Sequence, residues 1–194
     1  MEALLNYQTI ICDLTGMELS NASLLDESTS AAEAMTMLFS CRTREQKKEN
    51  INKFFVSDDT FLQTISLLQT RAEPLGIEVV IGKINEFKFS NEFYGCFIQY
   101  PGIHGNIIDL EKHGIKAKSN NIKIVVAADL LSLCILKKPS EFDADVVVGC
   151  ETMAMVVALH VGKRVISCIP PRGGICKLPH SGIEHLQNLV EKRI

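Results

Sequence analysis

Two short segments of this chain are apolar along almost their whole length, and they restrict its possible folds more than any other feature. They are residues 122–128 (IKIVVAA) and 144–149 (ADVVVG). A strand with one face in water alternates apolar and polar residues, whereas a continuous apolar run is typical of a strand covered on both faces by helices. These segments therefore predict buried strands of a parallel sheet.

Other short strand-like runs alternate with helical stretches along the chain. We predict strands at 53–57, 77–82, 95–100, 122–127 and 145–149, and helices at 60–73, 106–118 and 130–137. This alternation is typical of a doubly wound sheet. The predicted fold class is therefore α/β, with a mostly parallel sheet.

Ligands of such sheets bind beyond the carboxyl ends of the strands. That rule points to Asp129, to Gly149 and to the Tyr100–Pro101 pair. Asp129 closes one predicted strand and opens the next predicted helix. Because Asp readily caps helices, a structural cap is one interpretation of Asp129 and a ligand contact is the other.

Residues 4–35 contain two predicted helices separated by Gly16 and a polar loop. The second helix starts in a region crowded with polar residues: Asn21, Ser23, Asp26, Glu27 and Thr29. Free backbone N–H groups and hydroxyls at a helix start can bind an anion such as a cofactor phosphate. Helix capping is the competing interpretation of the same residues.

Seven sequence blocks carry a family resemblance. They are LLNYQT, DLTGM, NASLLDE and AAEAM, followed by GCFIQYP, AADLLSLCIL and KPSEFDADVVVG. In this order they resemble the amino-terminal half of the glycine cleavage system P-protein, glycine dehydrogenase (decarboxylating). The resemblance implies part of the large domain of a fold-type-I pyridoxal-phosphate (PLP) enzyme.

The resemblance extends over residues 1–149, which we interpret as a fragment of that amino-terminal half. Residues 150–194 do not match and form a divergent tail, for which a reading-frame slip and an alternative exon are competing explanations. Apolar residues at helical spacing predict a short amphipathic helix at 182–194.

The resemblance also suggests roles for individual residues. Asn21, Ser23, Asp26, Glu27 and Thr29 would form an active-site wall or a vestigial phosphate pocket. In fold-type-I enzymes, an Asp placed like Asp129 pairs with the pyridine nitrogen of PLP.

No catalytic residue is assigned, because the family chemistry needs a lysine just past a strand like ADVVVG. Residues 150–155 contain no lysine, and in the family the functional lysine belongs to the carboxy-terminal half. We therefore expect this chain alone to bind no PLP and to be inactive.

The parent reaction implied by the resemblance is PLP-dependent decarboxylation of glycine, an oxidoreductase activity that transfers the aminomethyl group to the lipoyl group of the H-protein. The implied partners are the lipoylated H-protein and a second P-protein subunit, and the implied location is mitochondrial if the source is eukaryotic. No targeting segment is recognisable. The alternative is a non-enzymatic truncated remnant or an α/β interaction module.

The composition argues against several other classes of protein. A formal net charge of −3 gives no reason to expect nucleic acid as a partner, and the absence of a long apolar window predicts no membrane span. The residues of a possible zinc site are Cys168, Cys176, His180 and His185. Their spacing fits no standard template, so we predict no metal.

Overall fold

The computed structural model describes residues 2–21, 24, 26–151 and 154–159. The helices are α1 (Glu2–Thr15), α2 (Glu27–Ser40), α3 (Arg44–Lys48), α4 (Leu62–Ala72) and α5 (Leu110–Ser119). The strands are β1 (Leu19–Ser20), β2 (Lys53–Ser57), β3 (Glu78–Gly82), β4 (Phe93–Tyr100), β5 (Lys123–Ala128), β6 (Val146–Glu151) and β7 (Ala154–Leu159). Short 3-10 turns occupy Glu73–Leu75, Ser132–Cys134 and Pro139–Phe142.

These strands form one sheet in the order β1-β7-β6-β5-β4-β2-β3. The five strands from β6 to β3 are parallel to their neighbours. β7 pairs antiparallel with both β6 and β1. The predicted α/β class with a mostly parallel sheet is therefore confirmed.

Apolar side chains cover both faces of the sheet. Val125 of β5 packs on one face in a cluster with α2 and α4, and Val126 packs on the other face in a cluster with α1 and α5. Every residue of β4 is buried. Because successive side chains of a strand point to opposite faces, a strand between two helical layers is apolar at almost every position. Helices on both faces make the sheet doubly wound.

The ends of the first two helices follow their sequences. Gly16 follows α1 with φ +72°, a left-handed conformation that costs glycine little. The Asp26 side chain accepts a hydrogen bond from the backbone N–H of Thr29 and thereby caps α2. The predicted glycine stop and polar start are therefore both present.

All five predicted strands are observed, and their ends differ from the prediction by at most two residues. The predicted helix at 130–137 is wrong, because only the turn Ser132–Cys134 is helical there. Pro139 disfavours helical backbone at the preceding residue, and Lys138 is extended with ψ 141°. Leu131 and Ile135 are 75% and 89% exposed, so burial of these two side chains does not stabilise a longer helix.

The remaining predictions concern the start of α5, the outer strands and the last residues of the chain. Helix α5 begins at Leu110, four residues after the predicted start at 106. β1 and β7 were not predicted. The amphipathic helix expected at 182–194 lies outside the described residues, as do the four Cys and His residues weighed as zinc ligands.

Gly114 allows a test of how α5 packs against the turn Pro139–Phe142. A Cβ added at Gly114 would lie 2.1 Å from the backbone oxygen of Phe142, so the turn would have to move. We expect Gly114→Ala to lower the free energy of unfolding by about 1–3 kcal/mol, although alanine favours helices by about 1 kcal/mol over glycine. Denaturant unfolding would measure this difference.

The matched control is Lys116→Ala in the same helix, where the side chain is exposed. It should change the free energy of unfolding by no more than about 0.5 kcal/mol. Equal or greater stability of Gly114→Ala would contradict the packing of α5 described above.

Candidate functional site

The amino-terminal end of α2 lies at the carboxyl edge of the parallel sheet. There the Gln99 side chain of β4 donates a hydrogen bond from Nε2 to Glu27 Oε1 at 3.1 Å. The Ser28 hydroxyl lies 2.9 Å from the Thr64 hydroxyl of α4. Three elements that are distant in sequence therefore place polar side chains together, and we call Glu27, Ser28, Thr64, Gln99 and Asp129 the polar edge site.

Glu27 is the most perturbed acid of the polar edge site. Burial raises the pKa of its carboxyl, and the nearby charge of Asp129 raises it further. The hydrogen bond from Gln99 acts in the opposite direction and lowers the pKa of Glu27. The two carboxylates thus repel each other at the edge of the sheet.

Asp129 lies at the end of β5 and caps the turn that follows. Its Oδ1 accepts from the N–H of Leu131 and its Oδ2 accepts from the N–H of Ser132, both at 3.2 Å. Its own N–H donates to the backbone oxygen of Tyr100. The capping interpretation of Asp129 therefore describes its observed contacts, with a 3-10 turn in place of the expected helix.

Asp26 and Thr29 are joined by the cap of α2. Asp26 Oδ1 lies 2.5 Å from the backbone nitrogen of Thr29, and the backbone oxygen of Asp26 accepts from the N–H and the hydroxyl of Ser30. An N–H group that a phosphate could use is thus bonded to a carboxylate of the chain itself. Capping accounts for the contacts of this pair.

Asn21 and Ser23 are the remaining predicted site residues. Asn21 follows β1, and its backbone oxygen accepts from the Ser20 hydroxyl at 2.9 Å. The neighbouring Ser20 oxygen accepts from Gln8 of α1 at 2.7 Å. Ser23 lies outside the described residues.

Sequence reasoning missed Gln99. This side chain is only 3% exposed, and its Oε1 is buried without a hydrogen-bond partner among the described residues. Leaving such a group unpaired costs about 1–3 kcal/mol. A single polar residue near the end of the otherwise apolar GCFIQY run was the signal that could have found it.

A family model described as "Glycine cleavage system P-protein" matches residues 1–162. The chain belongs to the glycine cleavage system P-protein family. Curated relatives named glycine dehydrogenase (decarboxylating), from Flavobacterium johnsoniae and Christiangramia forsetii, are each 56% identical over 149 residues. A relative of the same name from Nostoc punctiforme is 48% identical over 149 residues.

The aligned region covers 77% of this chain but only 16% of the length of the Flavobacterium and Christiangramia relatives. The chain therefore matches a small part of those proteins. The family model extends to residue 162, and the division of the chain at residue 149 stays a prediction.

Solved structures show the same fold. A glycine decarboxylase (P-protein) of the glycine cleavage system, in inhibitor-bound form, has a TM-score of 0.70 at 23% identity and covers 82% of this chain and 39% of its own. The protein metB from Corynebacterium glutamicum has a TM-score of 0.61 at 14% identity, with 82% and 43% covered. The expected fold-type-I architecture is thereby confirmed.

The mitochondrial location implied by the resemblance is wrong. The relatives just described come from bacteria, which have no mitochondria. Membership of this family therefore does not indicate a mitochondrial location. Within the described part of the chain, no helix is long and apolar enough to cross a membrane.

The residues of the polar edge site and the cap of α2 do not fit PLP. Asp26 occupies the start of α2, and Glu27 and Asp129 add carboxylates where a phosphate would need positive charge. The sequence has no lysine between Lys138 and Lys163, so none follows β6 before the end of β7. These residues therefore support no chemical step through PLP.

The coupling between Glu27 and Asp129 is measurable. We expect nuclear magnetic resonance (NMR) titration to give Glu27 a pKa above the ordinary glutamate value, and Asp129→Asn to lower it by removing the repelling charge. A pKa raised by folding means that ionisation of Glu27 opposes folding. Its contribution to the free energy of unfolding is therefore largest below the unfolded pKa and falls as pH rises through the folded pKa.

Glu33→Gln is the control, because Glu33 is exposed in the same helix. This change should leave the Glu27 titration where it was. An unshifted Glu27 in the unmodified chain, or an equal effect of both variants, would show that the two acids are not coupled.

Proposed function

We propose that this chain serves the glycine cleavage reaction as a non-catalytic part of a P-protein. In that reaction, PLP supplies the electron sink for decarboxylation of glycine, and the aminomethyl group passes to the lipoyl group of the H-protein. The observation that carries the proposal is the family match over residues 1–162. Relatives named glycine dehydrogenase (decarboxylating) support the same reaction class.

The proposed role of the chain is structural. Gln99 holds Glu27 at 3.1 Å, and Asp129 fixes the turn after β5. The first contact joins the start of α2 to β4, and the Asp129 N–H joins the end of β5 to β4 through the backbone oxygen of Tyr100, so the edge of the sheet presents a defined acidic wall. Neither acid acts as a nucleophile in this proposal.

The lack of a lysine in the sequence between Lys138 and Lys163 leads to a direct test. We expect the purified 194-residue chain, incubated with PLP and reduced with borohydride, to carry only substoichiometric label spread over exposed lysines. Peptide mass spectrometry would locate the label, and absorbance after dialysis would measure retained PLP. Stoichiometric label on one lysine would show that this chain holds the cofactor itself.

A second candidate function is an α/β interaction module without a cofactor. Leu131 and Ile135, beside the polar edge site, are 75% and 89% exposed. Exposed apolar residues next to a functional edge are typical of a contact surface. In this proposal the surface packs against another P-protein subunit, and the H-protein is the further partner of the assembly.

The contact surface can be tested by self-association. We expect sedimentation of the purified chain to show concentration-dependent association. The double variant Leu131→Ser, Ile135→Ser should weaken it by at least tenfold, since loss of two apolar side chains that association buries costs more than about 1.4 kcal/mol. The control is Leu62→Ser, because Leu62 at the start of α4 is 74% exposed. Equal behaviour of all three proteins would argue against this surface.

A further inference from the structure

A second concave region lies at the carboxyl ends of β2 and β3. It is a cleft of about 660 Å³ lined by Ser57, the last residue of β2, and by Lys83, which follows β3. Another lining residue, Ile84, belongs to the apolar cluster of α1 and α5, whereas α2 packs in the cluster on the opposite face. The cleft is therefore separate from the polar edge site, and its volume suits a small molecule.

The wall of the cleft is held in place by the loop after β4. The backbone oxygen of Asp59 accepts from the N–H of Ile103 at 2.9 Å, and Gly102 donates to the backbone oxygen of Asn106 at 3.0 Å. Asp59 Oδ2 also accepts from Asn106 Nδ2 at 3.3 Å. A Cβ added at Gly102 would lie 1.9 Å from Asp59 Oδ2, so the loop packs closely against the end of β2.

The Ser57 hydroxyl supports a binding role for this cleft. Ser57 is completely buried, and its Oγ has no hydrogen-bond partner among the described residues. A buried hydroxyl without a partner costs about 1–3 kcal/mol, and such a group at a cleft is one that a bound molecule can satisfy. Ser57 therefore supplies an unused hydrogen-bonding group at the lining of the cleft.

The charge of the lining selects the sign of a ligand. The cleft is lined by four carboxylates: Asp58, Asp59, Glu86 and Asp109. Two side chains of the same lining can carry a positive charge, Lys83 and His104. Lys83 Nζ is paired with Glu86 Oε1 at 3.6 Å. An excess of carboxylates in a concave site attracts cations.

Apolar side chains complete the lining. Ile84, Ile107 and Ile108 contribute to the cleft, and Ile107 is 63% exposed. We propose that the cleft binds a small organic amine. Its ammonium group pairs with Asp58 and donates a hydrogen bond to Ser57 Oγ, while its hydrocarbon part lies against the isoleucines. This site does not depend on the proposed role in glycine cleavage.

The probe for this site is n-butylammonium, with n-butanol as its uncharged counterpart at equal ionic strength. We expect NMR titration of the full 194-residue chain to give saturable amide shifts at Ser57, Asp58 and residues 103–108, with a dissociation constant on the order of millimolar. Asp58→Asn should weaken binding about tenfold, the loss of one charge-assisted contact. Ser57→Ala should weaken binding too, and it should not destabilise the fold because its hydroxyl has no partner to lose.

Glu33→Gln is the matched control, since it removes the same charge from an exposed position of α2. It should leave the dissociation constant unchanged, and n-butanol should give no saturable shift. Shifts without saturation, equal shifts with butanol, or equal weakening by Asp58→Asn and Glu33→Gln would each overturn the proposal.

Discussion

The fold depends on burial of both faces of the central strands. Phe97 and Val125 pack on one face of the sheet and Ile98 and Val126 on the other, and each is at most 1% exposed. Each such side chain stabilises the folded chain by about 1.5–3 kcal/mol relative to an exposed one. Burial on two faces requires one helical layer on each side. The helices that connect the strands are therefore divided between the two faces. The carboxyl ends of β2, β4 and β5 then lie along one edge, where the polar residues collect.

At that edge the chain uses its polar groups mainly to fix its own structure. Asp26 caps α2, Asp129 caps the turn after β5, and Gln99 joins β4 to Glu27. A helix start filled by carboxylates of its own chain is a poor anion site, because the same N–H groups cannot serve a phosphate and like charges repel it. This electrostatic arrangement supports a scaffolding role in a family whose chemistry requires PLP.

The sequence was informative where the controlling interactions are local. Continuous apolar runs predicted β5 and β6, and shorter strand-like runs predicted β2, β3 and β4. Gly16 predicted the end of α1, and a polar segment that includes Asp26 predicted the start of α2. The helix expected at 130–137 was wrong: burial of Leu131 and Ile135 does not support it, and Pro139 restricts Lys138 at its end. Of the candidate site residues, Glu27 and Asp129 are brought into electrostatic contact, whereas Asp26 and Thr29 form a local cap.

The sequence by itself determined the family, the α/β class and the polar start of α2, since block order, apolar periodicity and caps are all read over short distances. Only the tertiary structure decided that Gln99 meets Glu27, that β7 runs antiparallel to β6, and that Ser57 lies buried at an acidic cleft. Those contacts depend on strand order, because residues tens of positions apart meet only where the carboxyl ends of their strands lie side by side.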